Sequence, residues 1–162
     1  MHVRKATKQD ILLIKELAEK TWWPTYTDVI SEEQINFMLD DMYSAESLEK
    51  QMESGIGFLI AERENIPVGF ASYSQSDKDK LVFKIHKLYI LPSEQGKGTG
   101  KELIEHISAS AKQLGGNTLE LNVNRGNKAK NFYLKSGFSI FRIVDIPYHQ
   151  FVLNDYVMRK DI

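Results

Sequence analysis

A mixed α/β layer fold is predicted by three observations. Apolar residues recur at helical spacing from Ile11 to Ala18, from Ile35 to Met42 and from Leu103 to Leu114. Between and after these stretches they form short runs rich in β-formers, as in Phe58–Arg63, Val68–Gln75 and Leu119–Val123. A glycine loop, Gln95 to Gly100, joins a strand pattern directly to a helix pattern. Read in order the chain is β-α-α-β-β-β-α-β-α-β-β, which layers helices on a sheet.

Each element has a local reason. Residues 2–6 read as a short strand, and Thr7 with Asp10 three residues on opens a helix in the manner of a capping box. Trp22-Trp23-Pro24 is expected to end that helix, because proline disfavours helix in the residue before it. Ser31 with Gln34 signals a second start, and a further short helix falls around Ser47–Glu53. Glu64-Asn65 is a turn between two strands of a hairpin. Lys80–Leu91 is a third β-rich run, and Gly115-Gly116 stop the helix that follows the glycine loop. Asn127–Ser136 reads as a short helix closed by Gly137, and Ser139–Asp145 and Phe151–Arg159 as the last strands.

Length and composition exclude several classes of function. The 162 residues fit one domain spanning 1–162, with no repeat, low-complexity tract or linker to divide it. There is no cysteine, so disulfides, thiolate metal sites and a cysteine nucleophile are excluded, and no metal is expected. No apolar run approaches the ~18 residues of a membrane span, and the opening MHVRKATKQD is too polar for a secretory signal. A cytoplasmic location is the expectation. A net charge of −1 with no basic face gives no reason to expect nucleic-acid binding. Charge is nonetheless uneven. Eight acids between Asp28 and Glu53 face only Lys50, whereas six lysines between Lys78 and Lys101 face only Asp79 and Glu94.

The informative stretch is Leu88-Tyr-Ile-Leu-Pro-Ser-Glu-Gln-Gly-Lys-Gly-Thr-Gly100. Its glycines let backbone N–H groups converge on an anion, and the helix amino terminus adds partial positive charge. A diphosphate fits there. A dinucleotide fingerprint G-x-G-x-x-G fails, because its last position is Lys101, and a P-loop fails because Gly100-Lys101 is followed by Glu102. Taken alone, the loop is also compatible with an ordinary strand-to-helix turn.

A second motif follows about 25 residues later: Leu121-Asn-Val-Asn-Arg-Gly-Asn-Lys-Ala-Lys-Asn-Phe-Tyr-Leu-Lys-Ser-Gly-Phe138. With it the chain resembles the GNAT acetyltransferase superfamily from about residue 3 to the end. Gln95, Gly98 and Gly100 match the family's Q/R-x-x-G-x-G/A loop. Asn124 matches a strand ending in Asn, Asn127 and Ala129 match the following loop, and Phe132 to Phe138 match F-Y-x-K-x-G-F. The tail from Asp145 to Arg159 looks like that of the bacterial polyamine (spermidine/spermine-type) branch.

The resemblance implies a mostly antiparallel sheet with a splayed central strand pair, and acetyl-CoA as cosubstrate. It implies that the pantetheine arm pairs with backbone of Leu88, Tyr89 and Ile90, and that N–H groups of Gln95, Gly96, Lys97, Gly98, Thr99, Gly100 and Lys101 hold the pyrophosphate. Asn124 and Asn127 line the cofactor side, and Lys135 reaches a phosphate. Tyr133 stands near the sulfur, where a phenol can protonate a leaving thiolate of pKa about 8.5. Acyl transfer is expected by direct attack in a ternary complex, with the Ile90 N–H polarising the thioester carbonyl.

An alkylamine of pKa about 10.4 is only ~0.04% neutral at pH 7, so something must take its proton. Family glutamate positions hold Lys84 and His86 here. His86 shares strand parity with Leu88 and Ile90 and is expected on their face; Glu120, Tyr26 and ordered water are alternatives. Trp22, Trp23, Tyr26 and the acidic segment are expected to form the acceptor wall, suited to a cationic small amine or polyamine. Acetylation of a peptide amino terminus, and a non-catalytic acyl-CoA-binding regulator, stay open at this point, as does a homodimer.

Overall fold

The computed structural model describes residues 1–162. Seven strands, β1 His2–Lys5, β2 Gly57–Arg63, β3 Ile66–Gln75, β4 Val82–Ile90, β5 Thr118–Asn124, β6 Ser139–Tyr148 and β7 Phe151–Asp161, form one sheet in the order β1-β2-β3-β4-β5-β7-β6. All neighbours are antiparallel except β4 and β5. Helices α1 Ile11–Tyr26, α2 Glu32–Tyr43 and α3 Ala45–Glu53 cover one face; α4 Thr99–Gln113 and α5 Ala129–Lys135 cover the other. No helix is long and apolar enough to cross a membrane.

Strand alternation sorts side chains between two cores. Leu59 and Ala61 of β2 pack with Leu103, Ile104 and Ile107 of α4, while Phe58 and Ile60 pack with Ile14, Leu17 and Trp22 of α1. The local signals work as their chemistry requires. Thr7 and Asp10 exchange both capping-box bonds, and the Ser31 and Ser44 hydroxyls accept from Gln34 and Ser47 N–H at the starts of α2 and α3. Glu64 and Asn65 both adopt positive φ, closing the β2–β3 hairpin.

Two expectations are corrected. Helix α1 does not end before Pro24 but continues to Tyr26, with Pro24 inside its last turns. Threonine hydroxyls accompany this stretch: Thr25 donates to the Thr21 carbonyl at 2.7 Å, and Thr27 donates to that of Trp23. The added turn carries Tyr26 to the sheet. The second correction concerns His86. Ser72 pairs with Lys87 and Tyr73 with Ile85, so His86 is an extra residue bulged out of β4. The bulge reverses parity: Phe83 and Ile85 before it, and Leu88 and Ile90 after it, all face α4. His86 itself bonds through Nε2 to the Ser74 hydroxyl at 2.7 Å, on the opposite face of the sheet.

Candidate functional site

The sheet opens between β4 and β5. The two strands pair only from Val82–Thr118 to Ile85–Leu121, although β4 continues to Ile90 and β5 to Asn124. Leu91 N–H donates to the Val68 carbonyl. Alternation along the strand then turns the Tyr89 backbone toward β3 and the backbone groups of Leu88 and Ile90 into the gap. Tyr89 is thereby corrected: it offers the site a hydroxyl, not a backbone partner.

The glycine loop closes one end of the gap. Glu94 is buried and anchors the loop, taking Arg63 Nε at 2.7 Å and Lys97 Nζ at 3.3 Å. Within the loop, Gln95 N–H donates to Pro92 and Lys97 N–H to Glu94. These two are corrected as free donors. The N–H groups of Gly96, Gly98, Thr99, Gly100 and Lys101 donate to no acceptor in the chain. Gly98 caps α4 at φ 85°, a left-handed backbone that side chains oppose. At Gly100 a Cβ would come within 2.7 Å of Phe132 Cζ and 3.0 Å of Ile90 Cδ1, so α5 and β4 close tightly on the helix start and a larger residue would make the Phe132 ring shift. The Thr99 hydroxyl, buried beside these donors, has no partner. Five unpaired N–H groups at a helix amino terminus fit a diphosphate.

Helix α5 packs Tyr133 into the core it shares with β4, β5 and α4. Its ring packs on Phe132 and Phe138 with centroids 5.3 and 5.7 Å away. The residue is 7% exposed, yet its hydroxyl bonds to nothing in the chain and is not sealed from solvent. Burial, reinforced by Tyr26, pushes its pKa well up, so the phenol stays protonated. Asn127 Oδ1 accepts from the Ala129 N–H at 2.9 Å and so fixes the start of α5; Asn124 Oδ1 accepts from Gly126 N–H at 2.8 Å. Lys135 lies exposed on the last turn of α5, and Lys101 points toward Glu105 at 3.8 Å.

On the α1 face, the Tyr26 and Tyr89 hydroxyls are 2.8 Å apart. Burial pushes Tyr26 up to about 12, and Asp155 adds to the push. Trp22 is corrected as an acceptor-wall residue. It is 2% exposed, donates through Nε1 to the Tyr43 hydroxyl at 3.1 Å and stacks near Tyr26 and Tyr89. Trp23 is half-buried at the edge of that cluster. His86 is exposed on β4, with its Nε2 engaged by the Ser74 hydroxyl at 2.7 Å and with Lys84 and Lys87 as near neighbours in the chain. Glu120 is engaged by Arg159 Nε at 2.9 Å.

Sequence reasoning missed Asp155. It lies on β7 opposite Asn124, 8% exposed, with Asn122 Nδ2 at 3.4 Å as its side-chain partner. The signal was present: an acid in the middle of the apolar alternation Phe151–Met158.

The α2 side of this face is closed by an aromatic contact. Phe37 stacks against Tyr148, His149 and Phe151 of the β6–β7 hairpin, and the Tyr148 hydroxyl donates to Asp41.

Residues 26–141 match the family model described as the acetyltransferase (GNAT) domain. The spermidine N(1)-acetyltransferase of Thermoplasma acidophilum is 29% identical over 86% of this chain and 89% of its own length. An uncharacterized N-acetyltransferase of Mycobacterium bovis is 31% identical over 83% of this chain and 85% of its own. Among solved structures, a PaiA N-acetyltransferase from Thermoplasma acidophilum in complex with coenzyme A superposes with a TM-score of 0.84. It is 27% identical, covering 99% of this chain and 98% of that one.

Proposed function

The chain belongs to the GNAT acetyltransferase family, acetyl-CoA-dependent N-acetyltransferases, and we propose that this one acetylates a small cationic primary amine, with polyamines the favoured class. The observation that carries the reading is the gap between β4 and β5, with free donors at one end and a protonated phenol beside it.

Acetyl-CoA, when bound, supplies an activated thioester. The N–H groups of Gly96, Gly98, Thr99, Gly100 and Lys101 hold its diphosphate, and the backbone of Leu88 and Ile90 pairs with its arm. The Ile90 N–H donates to the thioester oxygen, where negative charge grows as the amine attacks. Tyr133 donates to the departing sulfur. Asn127 holds α5, and so Tyr133, in place. With no cysteine in the chain, direct attack in a ternary complex is the route.

Three features support a cationic acceptor. Tyr26 and Trp23 give the acceptor side an aromatic wall. The acids Asp28, Glu32, Glu33 and Asp40 are exposed and make no ion pair, so their field is not cancelled. The similar Thermoplasma enzyme is named for spermidine. The contact of Phe37 with the β6–β7 hairpin argues for a small acceptor over a peptide, which needs an open groove there.

The test is thiol release from acetyl-CoA across a panel of polyamines, simple alkylamines, arylamines and peptides with free amino termini. Polyamines are expected to give the highest kcat/KM. Tyr133→Phe is expected to lower turnover by about 100-fold while coenzyme A affinity is kept. A panel led by peptides, or a Tyr133→Phe enzyme as fast as wild type, overturns this reading.

A further inference from the structure

We infer that Asp155 is the catalytic residue that seats the acceptor's ammonium and takes its proton, with the Asn122 amide oxygen and the Tyr26 hydroxyl completing the seat. This rests on the amine-acceptor reading above and names the base that reading leaves open.

The first argument is an unmet demand. Asp155 is 8% exposed, and no cation lies within ion-pair distance of it. Arg125 donates instead to the backbone carbonyls of Asp155 and Val144 and pairs with Asp145 at 2.7 Å. The carboxylate has one long bond from Asn122 Nδ2, at 3.4 Å to Oδ2, and its Oδ1 accepts nothing. A carboxylate so deeply placed is costly without a partner of opposite charge. Beside it the Asn122 Oδ1 is sealed from solvent and also lacks a donor. The sealed, donorless Asn122 Oδ1, beside a carboxylate that no cation balances, calls for a ligand rich in N–H groups. An alkylammonium brings three.

The second argument is position. Asp155 pairs with Asn124 at the end of β5 that has parted from β4. Its charge reaches the Tyr26 hydroxyl, which also meets Tyr89 on the β4 wall and acts on Tyr133 on α5. Asp155 is therefore on the β5 side of the gap, across from the β4 wall that carries Tyr89. The rival groups are committed elsewhere: Glu120 to Arg159, and His86 to Ser74.

The charged and titratable groups facing Asp155 are Lys84 from β4, Arg125 after β5 and Tyr26 from α1. Burial raises its pKa despite the opposing pull of Asn122, Lys84 and Arg125, which brings a carboxylate toward the range of a useful base.

The protons balance. The ammonium gives one proton to Asp155, which passes it to solvent. The neutral nitrogen then forms the C–N bond as the C–S bond breaks. Tyr133 gives its proton to the sulfur and recovers one from the new amide nitrogen.

Asp155→Asn keeps the shape and removes the charge. Wild type and variant are compared with an alkylamine, charged at pH 7, and an arylamine, already neutral there, alongside coenzyme A binding by calorimetry. The expected result is a loss of about 100-fold in kcat/KM for the alkylamine, little change for the arylamine, unchanged coenzyme A affinity, and loss of the acid limb of the pH profile. Equal losses for both acceptors, or an acid limb that survives, overturn the proposal. If wild type acetylates the arylamine and no alkylamine, the cationic-amine reading itself fails, and the role of Asp155 falls with it. That result is seen in the wild type alone, before any variant is made.

Discussion

Single residues in this chain take their properties from what surrounds them, and Lys87 shows it outside the site. It is 9% exposed, its Nζ 2.8 Å from Gln51 Oε1 and over the rings of Tyr43 and Phe58. Burial lowers its pKa from 10.5 to about 8. The sign follows from proton counting. Between pH 8 and 10.5 the unfolded chain holds this proton and the folded chain does not, so folding gains stability as pH rises across that window. The full shift corresponds to roughly 3 kcal/mol. Urea unfolding of wild type and Lys87→Met at pH 7 and pH 10 is expected to show the difference moving in wild type's favour at the higher pH. A difference that stays constant would show that Lys87 keeps its proton when folded. Sequence could name Lys87 as one of six lysines near the glycine loop but not as the buried one. Its burial depends on the rings of α2 and β2 closing over it.

At the scale of elements, the loop into α4 carries the clearest consequence. Gly98 stands at φ 85°, where a Cβ costs about 1–2 kcal/mol. Gly98→Ala is expected to pull the loop out of the shape that gathers its five free N–H groups. Coenzyme A affinity should fall by about tenfold, the equivalent of about 1.4 kcal/mol. Calorimetry that finds the affinity unchanged would remove this loop from cofactor binding. This element was legible because glycine spacing is a local property. The bulge in β4 was not: His86 sits in an unbroken β-rich run, and only pairing with β3 shows that one residue is left over. Nor was the final turn of α1 legible, since proline ordinarily argues for a stop, and here the helix carries Pro24 through to Tyr26.

For the molecule as a whole, the shape of the acceptor side depends on a contact between distant parts of the chain. Phe37 on α2 meets Tyr148, His149 and Phe151 on the β6–β7 hairpin. Aromatic pairs of this kind contribute about 0.5–1.5 kcal/mol each. Phe37→Ala is expected to loosen that wall, raise KM for small amines and improve the rate with peptide acceptors relative to them. Acceptor selectivity identical to wild type would place this contact outside the acceptor site. By itself the sequence determined the kind of most elements and marked the glycine loop and Tyr133 as candidates, because caps, periodicity and glycine spacing act over a few neighbouring residues. The order read from it held two helices before the second strand, where the structure has three. Only the tertiary structure decided that Trp22 is core, that Tyr26 and Tyr89 meet, and that Asp155 is buried without a cation. These are relations across the sheet and between faces. Burial, strand register and the local dielectric are set by residues far away in the chain, and no local pattern encodes them.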